Sequence, residues 1–530
     1  MLTRKALSLL VALTLALTLL GAGCGSSDPT PPTPGIPTPD DSDDRYGGTL
    51  RVGFASNLET PDPNLARTGT ALKYTSAITD SLVSLDQEGM PQPLLAKDWD
   101  IEDGIIYTFY LEEGVVFHDG EPFNAEAVKF NMEERLLHPD FPNRKQVSME
   151  RIAEVNVLAE HTVQFVLSEV DALLLEVLAG PELGFVSPKA VREMGADFED
   201  NPVGLGPFVF KEFIPDGHVR VERFDDYWQG RPYLDAIEFR IIPEESTRVL
   251  ELEMDNLDVL LYVSPREANR LRENYVVDPG VRLTLTWLAM NLRMPIFDDI
   301  RMRQALSHAV DRDLLIEEIH AGQADPGVAG LPPASWGFEP SVVPYHYDPD
   351  RTAELLDDLG WIMGSDGFRH KDGEKLHFEL RTSSTSLRLM ETEVLQQFLR
   401  DVGIDSEIYM TEPAAYNQDM RSENFELGIW GLGGSVHPAN QAERSHSDYY
   451  WNPSRHYIAE IDQLIEKAGV ETDVDVIKEL LSDFQHLVNE HLPAIWLFHS
   501  GSITVMSERV QELYIDAANY KRFHNTWLDQ

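Results

Sequence analysis

Residues 107–134 have the sequence YTFYLEEGVVFHDGEPFNAEAVKFNMEE, in which a strand pattern gives way to a helix pattern. The first half contains two apolar runs around a glycine turn, rich in the aromatic and β-branched residues that are typical of strands. The second half begins with Asn124, a residue type that caps helices, and apolar residues then follow at Val128, Met132 and Leu136. The segment therefore predicts two strands followed by a helix.

The same mixture of patterns continues along the chain. Residues 47–54, GGTLRVGF, have the flanking glycines and the apolar run of a buried strand. Residues 298–322 predict one long helix that ends at Gly322, and residues 348–360 predict another that is opened by aspartate and closed by glycine. Because no fixed repeat period is present, we expect a multidomain α/β protein with about three domain-sized units.

The charge and the cysteine content exclude several classes of protein. The 530 residues include 43 Lys+Arg and 90 Asp+Glu, which gives a formal net charge of −47. A nucleic-acid partner is excluded, because binding phosphates requires a basic surface. The single cysteine, Cys24, excludes an intramolecular disulfide framework and a thiolate-rich metal site. We interpret the acidity as an aid to solubility in a salty exterior.

The N-terminus carries the pattern of an export signal. Arg4 and Lys5 precede an apolar run at residues 6–20, which is short for a membrane span of about 20 residues. Small residues then lead to Cys24, as in the lipobox of bacterial lipoproteins. We therefore predict a signal peptide at residues 1–23 and a lipid anchor on Cys24 in an extracytoplasmic protein.

The predicted lipobox departs from the usual pattern at one position. Gly21 stands where the lipobox usually has an aliphatic residue, so a cleaved but unlipidated form is the alternative. Residues 24–45 are rich in Pro, Thr, Ser and Asp, and they predict an extended tether between the membrane and the folded part.

A search for catalytic and metal-binding patterns finds no support for an enzyme or for a cofactor. His486 and His491 in HLVNEH are five residues apart, so they point about 140° away from each other on a helix and do not form a metal pair. No G-x-S-x-G motif occurs, and GLGPF at residues 204–208 lacks the lysine of a phosphate loop. We predict neither a catalytic site nor a metal site.

Seven segments, in order along the chain, resemble the family 5 solute-binding proteins, which are receptors of peptide, nickel and oligosaccharide ABC importers. These segments are residues 47–53, 81–101, 107–134, 204–228, 234–260, 288–315 and 347–361. The resemblance implies a receptor that captures a solute outside the cytoplasm and delivers it to the permease subunits of the importer. It also implies a monomer without catalytic activity.

The resemblance implies a two-lobed periplasmic-binding-protein-like fold with an extra domain and a hinge of crossing strands. By this resemblance, lobe I is discontinuous and comprises residues 46–80, 201–286 and 500–530. The extra domain comprises residues 81–200, and lobe II comprises residues 287–499. The ligand would bind in the cleft between the lobes, and the closed form would be the one that the permease recognises.

Family members contact their ligands mainly through three short stretches. Dipeptide receptors also bind the ligand carboxylate through an arginine, and Arg381 lies in the corresponding region of this chain. Together, the three stretches and this arginine give the candidate ligand-binding residues Asn57, Leu58, Glu59, Gly204, Leu205, Arg381, Trp430, Gly431, Leu432, Gly433 and His437. Trp430 either forms an aromatic wall of the site or belongs to the core.

One departure from the family pattern bears on the ligand. In the peptide receptors an aspartate shortly after the tryptophan pairs with the α-amino group of the ligand, whereas Gly433 occupies that place here. No carboxylate lies between Trp430 and Asn440, which argues against free di- and tripeptides unless Glu59 supplies the charge.

Three functions therefore stay open. A peptide or another extended solute is the main prediction. An oligosaccharide stacked on Trp430 or a nickel chelate held by His437 is the alternative within the same fold, and a binding protein with a chaperone or signalling role is the alternative of another class.

Overall fold

The computed structural model describes residues 44–55, 60–66, 69–138, 149, 151–456, 458–518 and 520–529. Cys24, the predicted signal peptide and nearly all of the predicted tether lie outside the described residues. Within the described residues, no helix is both long enough and apolar enough to cross a bilayer.

The first large sheet has seven strands, with Thr49–Phe54 near its middle. Leu50, Val52 and Phe54 are almost completely buried, as the apolar run predicts, so the predicted strand at residues 47–54 is confirmed. The strands in spatial order are Val276–Asp278, Thr504–Met506, Val259–Leu261, Thr49–Phe54, Ala236–Ile241, His218–Arg223 and Phe208–Ile214. Thr49–Phe54 is parallel to both of its neighbours, so three carboxyl ends share one edge.

The second large sheet has six strands and a core on each face. Its strands in spatial order are Ala324–Pro326, Ala494–Ser500, Thr284–Met290, Leu427–Leu432, His377–Ser383 and Asp405–Thr411. Leu288 and Ile429 face one core, whereas Trp287 and Trp430 face the other, because side chains alternate along a strand. The three parallel strands of this sheet also end at one edge.

A smaller antiparallel sheet is formed by residues between 96 and 167. Its strands in spatial order are Ala96–Glu102, Ile106–Leu111, Thr162–Leu167 and Ile152–Ala159. The predicted first strand and helix of the 107–134 segment are confirmed, because Ile106–Leu111 is a strand and Asn124 caps the helix Ala125–Phe130 through a 3.0 Å bond to the Ala127 N–H. The predicted second strand is wrong, since its residues form only one bridge, Val116 with Pro122.

The long helix predicted at residues 298–322 is in fact two helices, Ile300–Ala309 and Arg312–His320. Val310 has an extended backbone, and Asp311 caps the second helix. The buried guanidinium of Arg312 donates hydrogen bonds to the carbonyl oxygens of Ser307 and Trp496, which holds the chain in this turn. The predicted helix that begins after Asp348 is confirmed as Pro349–Asp358.

The remaining elements pack around these sheets. The other α-helices are Gly69–Ile78, Leu174–Leu178, Pro188–Met194, Glu245–Glu253, Pro265–Leu271, Ser386–Asp401, Pro413–Arg421, Pro438–Glu443, Ala459–Val470 and Val474–His491, and a π-helical turn spans Asn131–Leu136. Short strands pair as Val83–Leu85 with Pro91–Pro93, Val510–Gln511 with Trp527–Leu528, Tyr514–Ile515 with Lys521–Arg522, and Ile362–Met363 with Arg369–Lys371 and Glu374–Lys375.

The two large sheets are joined by two chain segments that run side by side. Residues 276–290 and 494–506 pair with each other in the seven-stranded sheet and again in the six-stranded sheet. The segments meet between the sheets at Gly280 and Gly501, where a Cβ atom on Gly501 would overlap the carbonyl oxygen of Pro279. Because the two main chains touch here, only glycine fits at position 501. We call this double connection the hinge pair.

His499 lies in the hinge pair and is fully buried. Neither ring nitrogen has a hydrogen-bond partner among the described residues. Burial lowers the pKa of His499 to about 3, because a charged imidazolium would lose its hydration.

The buried neutral form of His499 predicts a pH-dependent stability. The unfolded chain takes up a proton near pH 6.5 and the folded chain does so only near pH 3, so the free energy of unfolding should fall as the pH drops through this window. On acidification, the variant His499→Leu should lose less stability than the wild type. The difference between the two should grow by up to about 1.4 kcal/mol per pH unit. Urea unfolding at pH 7, 6, 5 and 4 measures this difference, and parallel pH curves for the two proteins would contradict it.

Candidate ligand-binding cleft

A cavity of about 530 Å³ lies where the two large sheets face each other. On one side it is lined by Tyr262 and Val263, which follow the strand Val259–Leu261 at its carboxyl end. On the other side it is lined by Leu387 and Met390 from the helix Ser386–Asp401. Open α/β sheets bind ligands at the carboxyl ends of their strands, so this cavity occupies the expected position for a ligand. We call it the first cavity.

The first cavity exposes apolar side chains that the fold leaves uncovered. Tyr262 is 37% exposed, Leu387 is 37% exposed and Met390 is 44% exposed. Tyr262 also has a φ of 58°, a backbone conformation that is unfavourable for a tyrosine and that occurs preferentially at binding sites. An apolar cavity of this kind accepts the side chains of a solute better than it accepts a fully polar molecule.

Trp430, the anchor of the predicted stretch in the six-stranded sheet, is a core residue. It is 3% exposed and packs against Tyr416 and Trp451, with ring centroids 5.8 and 6.4 Å away. Its indole Nε1 has no hydrogen-bond partner among the residues that the structure describes. Of the two interpretations of Trp430, this packing favours the core.

The glycines after Trp430 have different surroundings. Gly431 lies against the guanidinium of Arg388, which is ion-paired with Glu391 at 2.8 Å. Leu432 is half-buried and ends its strand. Gly433 is exposed, and a Cβ atom there would meet nothing within 4 Å, so the place where the peptide receptors have their aspartate is open space.

A carboxylate reaches this stretch from a distant part of the sequence. Glu176, in the helix Leu174–Leu178, accepts hydrogen bonds from the Ser435 hydroxyl at 3.0 Å and from the Val436 and His437 N–H groups at 3.1 and 2.8 Å. Burial raises the pKa of Glu176, and these three donors counteract the rise by stabilising the anion. Glu176 therefore joins residues 81–200 to the segment after Leu432.

His437 has a structural role in the same segment. Its Nδ1 accepts a 3.3 Å hydrogen bond from the Ala439 N–H and so caps the helix Pro438–Glu443, and its ring packs edge-on against Trp336. Burial lowers the pKa of His437 to about 4. No cluster of three metal-ligating side chains occurs among the described residues, so His437 has no companion ligands for a metal within that part of the chain.

Gly204 and Leu205 lie in tightly packed surroundings. Leu205 is fully buried in the core that surrounds the four-stranded sheet. The backbone of Gly204 lies against the end of the helix Gly69–Ile78, where a Cβ atom would overlap the Ile78 carbonyl oxygen, and the Gly204 carbonyl accepts a 2.9 Å bond from the His118 N–H.

The charge of Arg381 is paired with two nearby carboxylates. It is 8% exposed, forms an ion pair with Glu379 at 2.6 Å and a second with Asp419, and stacks on the ring of Tyr409 at 4.3 Å. Two carboxylates thus already satisfy its charge. Asn57, Leu58 and Glu59 lie outside the described residues, so their place at the cleft stays a prediction.

A second cavity, of about 160 Å³, lies beside the segment that Glu176 holds. It is lined by Glu176, Glu182, Val436, Asn440 and Tyr520, together with apolar residues. The sequence contains no local signal for this group, because its members come from three distant parts of the chain.

Two of the three candidate glycines, Gly204 and Gly433, differ in a way that can be tested. Gly204→Ala should lower the free energy of unfolding by about 1–3 kcal/mol or more, because the new methyl group overlaps a backbone carbonyl. Gly433→Ala is the matched control and should change stability by less than about 0.5 kcal/mol, since the space around it is open. Urea unfolding measures both values, and equal effects would contradict this account of the packing.

Known proteins share both the sequence pattern and this fold. Residues 90–453 match the family described as bacterial extracellular solute-binding proteins, family 5 Middle. A glutathione-binding protein of Salmonella typhi is 30% identical over 363 residues, which cover 67% of this chain and 68% of that protein.

Two solved structures are similar to this one at 26% sequence identity. An ABC transporter-associated periplasmic binding protein of Helicobacter pylori, in complex with the peptide STSA, matches with a TM-score of 0.70 over 92% of this chain and 99% of its own. NikA of Brucella suis, in complex with Fe(III)-EDTA, matches with a TM-score of 0.80 over 91% of this chain and 100% of its own. These matches confirm the predicted two-lobed α/β fold.

Proposed function

Because the chain belongs to the family 5 bacterial extracellular solute-binding proteins, we propose that it captures a peptide or a similar extended solute between its lobes and delivers it to the permease of an ABC importer. The observation that carries the choice of solute is the first cavity, whose apolar side chains remain exposed at the carboxyl ends of the strands. The receptor acts by binding alone and needs no catalytic residue.

The hinge pair supports a mechanism of capture by closure. Two rigid sheets joined by a pair of short adjacent connections can rotate about those connections and enclose a solute. Glu176 supplies a contact that favours the closed arrangement, because its carboxylate pairs with donors on the opposite side of the cleft. A solute that touches both sides adds to this preference and shifts the population toward the closed form.

Relatives of this chain support a peptide-like solute. The Helicobacter pylori protein was solved with a tetrapeptide and the Salmonella protein is named for glutathione, which is itself a peptide. A metal chelate is the alternative solute, because NikA was solved in complex with Fe(III)-EDTA. In this chain the apolar wall of Tyr262, Leu387 and Met390 favours a solute with apolar side chains over a bare chelate.

The proposal also assigns the domains of the chain and its attachment to the membrane. Residues 46–80, 201–286 and 500–530 form lobe I, residues 81–200 the extra domain and residues 287–499 lobe II. Cys24 carries the lipid that anchors the mature protein outside the cytoplasm, and residues 24–45 form its tether. Gly433 and His437, with Asn57, Leu58 and Glu59 opposite, border the solute.

A ligand screen tests the proposed solute. At one hundred times its dissociation constant, a ligand that binds only the folded state adds about 2.7 kcal/mol of stability, so at least one of a set of tri- to octapeptides should raise the melting temperature of the full-length protein. Oligosaccharides and nickel chelates are screened alongside the peptides. Stabilisation by these compounds but by no peptide would contradict the proposal.

A variant of the cavity wall adds a site-specific test. Leu387→Glu should weaken peptide binding at least tenfold, because a charge replaces an apolar contact in the first cavity. Leu314→Glu is the matched control, since Leu314 is similarly exposed at 44% and does not line the cavity. Calorimetric titration of both variants should separate them, and an equal loss of affinity would argue against this cavity as the site.

The lipid anchor is tested by labelling in a bacterial host. The wild-type protein should incorporate radioactive palmitate and sediment with membranes. Cys24→Ser should lose the label and appear in the soluble extracytoplasmic fraction, because the single thiol of the chain is gone. Labelling of the serine variant, or none of the wild type, would contradict the anchor.

A further inference from the structure

The first cavity carries charge as well as an apolar wall. Apart from Tyr262, the residues with a titratable side chain that line it are Glu245, Arg248, Arg266 and His320. An arginine side chain is always protonated, so the lining holds two permanent positive charges and one glutamate. The chain as a whole has the opposite balance, with 43 Lys+Arg and 90 Asp+Glu. The lining of this cavity is therefore basic within an acidic protein.

The glutamate and the histidine of this lining already have partners. The Glu245 carboxylate accepts a hydrogen bond from the Ser264 N–H. The His320 Nε2 is hydrogen-bonded to the Glu391 carboxylate at 3.0 Å, and both of these side chains are buried. Among the described residues, neither Glu245 nor Glu391 forms an ion pair with the two arginines of the cavity.

Arg248 is the buried cation of the cavity. It is 3% exposed, and its Nη1 donates hydrogen bonds to the carbonyl oxygens of Ile242 and Pro243 at 2.7 and 2.8 Å. Burial lowers the pKa of Arg248, and Glu245 and Glu244 oppose this change from a distance. Within the part of the chain that the structure describes, no carboxylate forms an ion pair with it. A buried cation without an adjacent counter-charge favours an anion in the space beside it.

Arg266 is the accessible cation of the cavity. It is exposed, and it lies in the short helix Pro265–Leu271, on the same side of the cavity as Tyr262. Its guanidinium has neither a hydrogen bond nor an ion pair with any described residue. Arg381 and Arg388, by contrast, each hold a carboxylate of the protein itself. Arg266 therefore has its N–H donors available to a solute.

We propose that Arg266 is a specificity-determining residue that binds a carboxylate of the solute. This inference rests on the proposed function, and it narrows the solute to peptides or similar compounds with an acidic group beside apolar side chains. A carboxylate fits best, because the planar guanidinium donates two parallel hydrogen bonds to it. Leu387 and Met390 line the opposite side of the same cavity, so one such solute contacts both sides of the cleft.

The test compares solutes that differ in one charge, with the full-length protein. Each peptide that binds in the screen is titrated as the free acid and as its C-terminal amide. Each peptide with aspartate or glutamate is also compared with its asparagine or glutamine analogue, which distinguishes a side-chain carboxylate from the terminal one. Removing the carboxylate that contacts Arg266 should weaken binding to the wild type at least tenfold.

Two variants of Arg266 locate the effect. In Arg266→Gln the peptide acid should bind at least tenfold more weakly than in the wild type, and removing its carboxylate should then matter less than twofold. Arg266→Lys should retain part of the preference for the acid, because the ammonium keeps the charge but lacks the planar pair of donors. A residue that only fills space would give no such difference between lysine and glutamine.

Arg272→Gln is the matched control. Arg272 ends the same helix, is also exposed and does not line the cavity. Its substitution removes the same charge from the protein, and each peptide should bind within twofold of its affinity for the wild type. An equal loss of affinity in Arg272→Gln and Arg266→Gln would assign the effect to the general charge of this region and overturn the inference.

The possible failures are distinguishable. Equal binding of acids and their neutral analogues by the wild type overturns the role of Arg266 and leaves the peptide receptor standing. An equal loss of both forms in Arg266→Gln assigns Arg266 a packing role and also overturns the inference. If the wild type binds oligosaccharides or chelates and no peptide, the proposed function fails and the carboxylate site fails with it.

Discussion

The close contact of two main-chain segments between the sheets constrains the rest of this structure. At the hinge pair, Gly280 has a φ of 67°, and Gly501 lies so near Pro279 that no side chain fits between them. The two connections therefore stay adjacent as they leave one sheet and enter the other. Because they join both sheets side by side, the carboxyl ends of the parallel strands border a shared cleft, and that cleft is the natural place for a solute.

Burial of charge is the second constraint on the cleft. The chain carries a net charge of −47, and most acids among the described residues are at least partly exposed, yet a few are buried. Glu391 is held by Arg388 and His320, and Glu176 is held by three donors from the segment after Leu432. Each pairing stabilises an anion that burial alone would disfavour. Glu182 is the contrasting case, because its buried Oε2 has no hydrogen-bond partner among the described residues.

The fold and the ligand are decided by different parts of the molecule. Proteins with this architecture include one solved with a peptide and one solved with an iron chelate, so the two lobes do not specify the solute. Here the wall of Tyr262, Leu387 and Met390 gives the first cavity an apolar surface.

The sequence alone predicted what depends on neighbours along the chain. The buried strand at residues 47–54, the helix that begins after Asn124 and the helix that begins after Asp348 follow from apolar spacing and capping residues, which act over a few positions. The order of seven motifs along the chain was enough for the family. The absence of a carboxylate near Gly433 was likewise visible in the sequence.

Only the tertiary structure decided the features that depend on distant contacts. The break after Ala309 follows from the bonds of the buried Arg312 to the Trp496 carbonyl, a residue far along the chain, and the apolar spacing continues through the break without any sign of it. Trp430 became a core residue because Tyr416 and Trp451 pack around it. Glu176 reached the segment after Leu432 because the chain folds residues 81–200 against it, and no local pattern encodes a contact across some 260 residues.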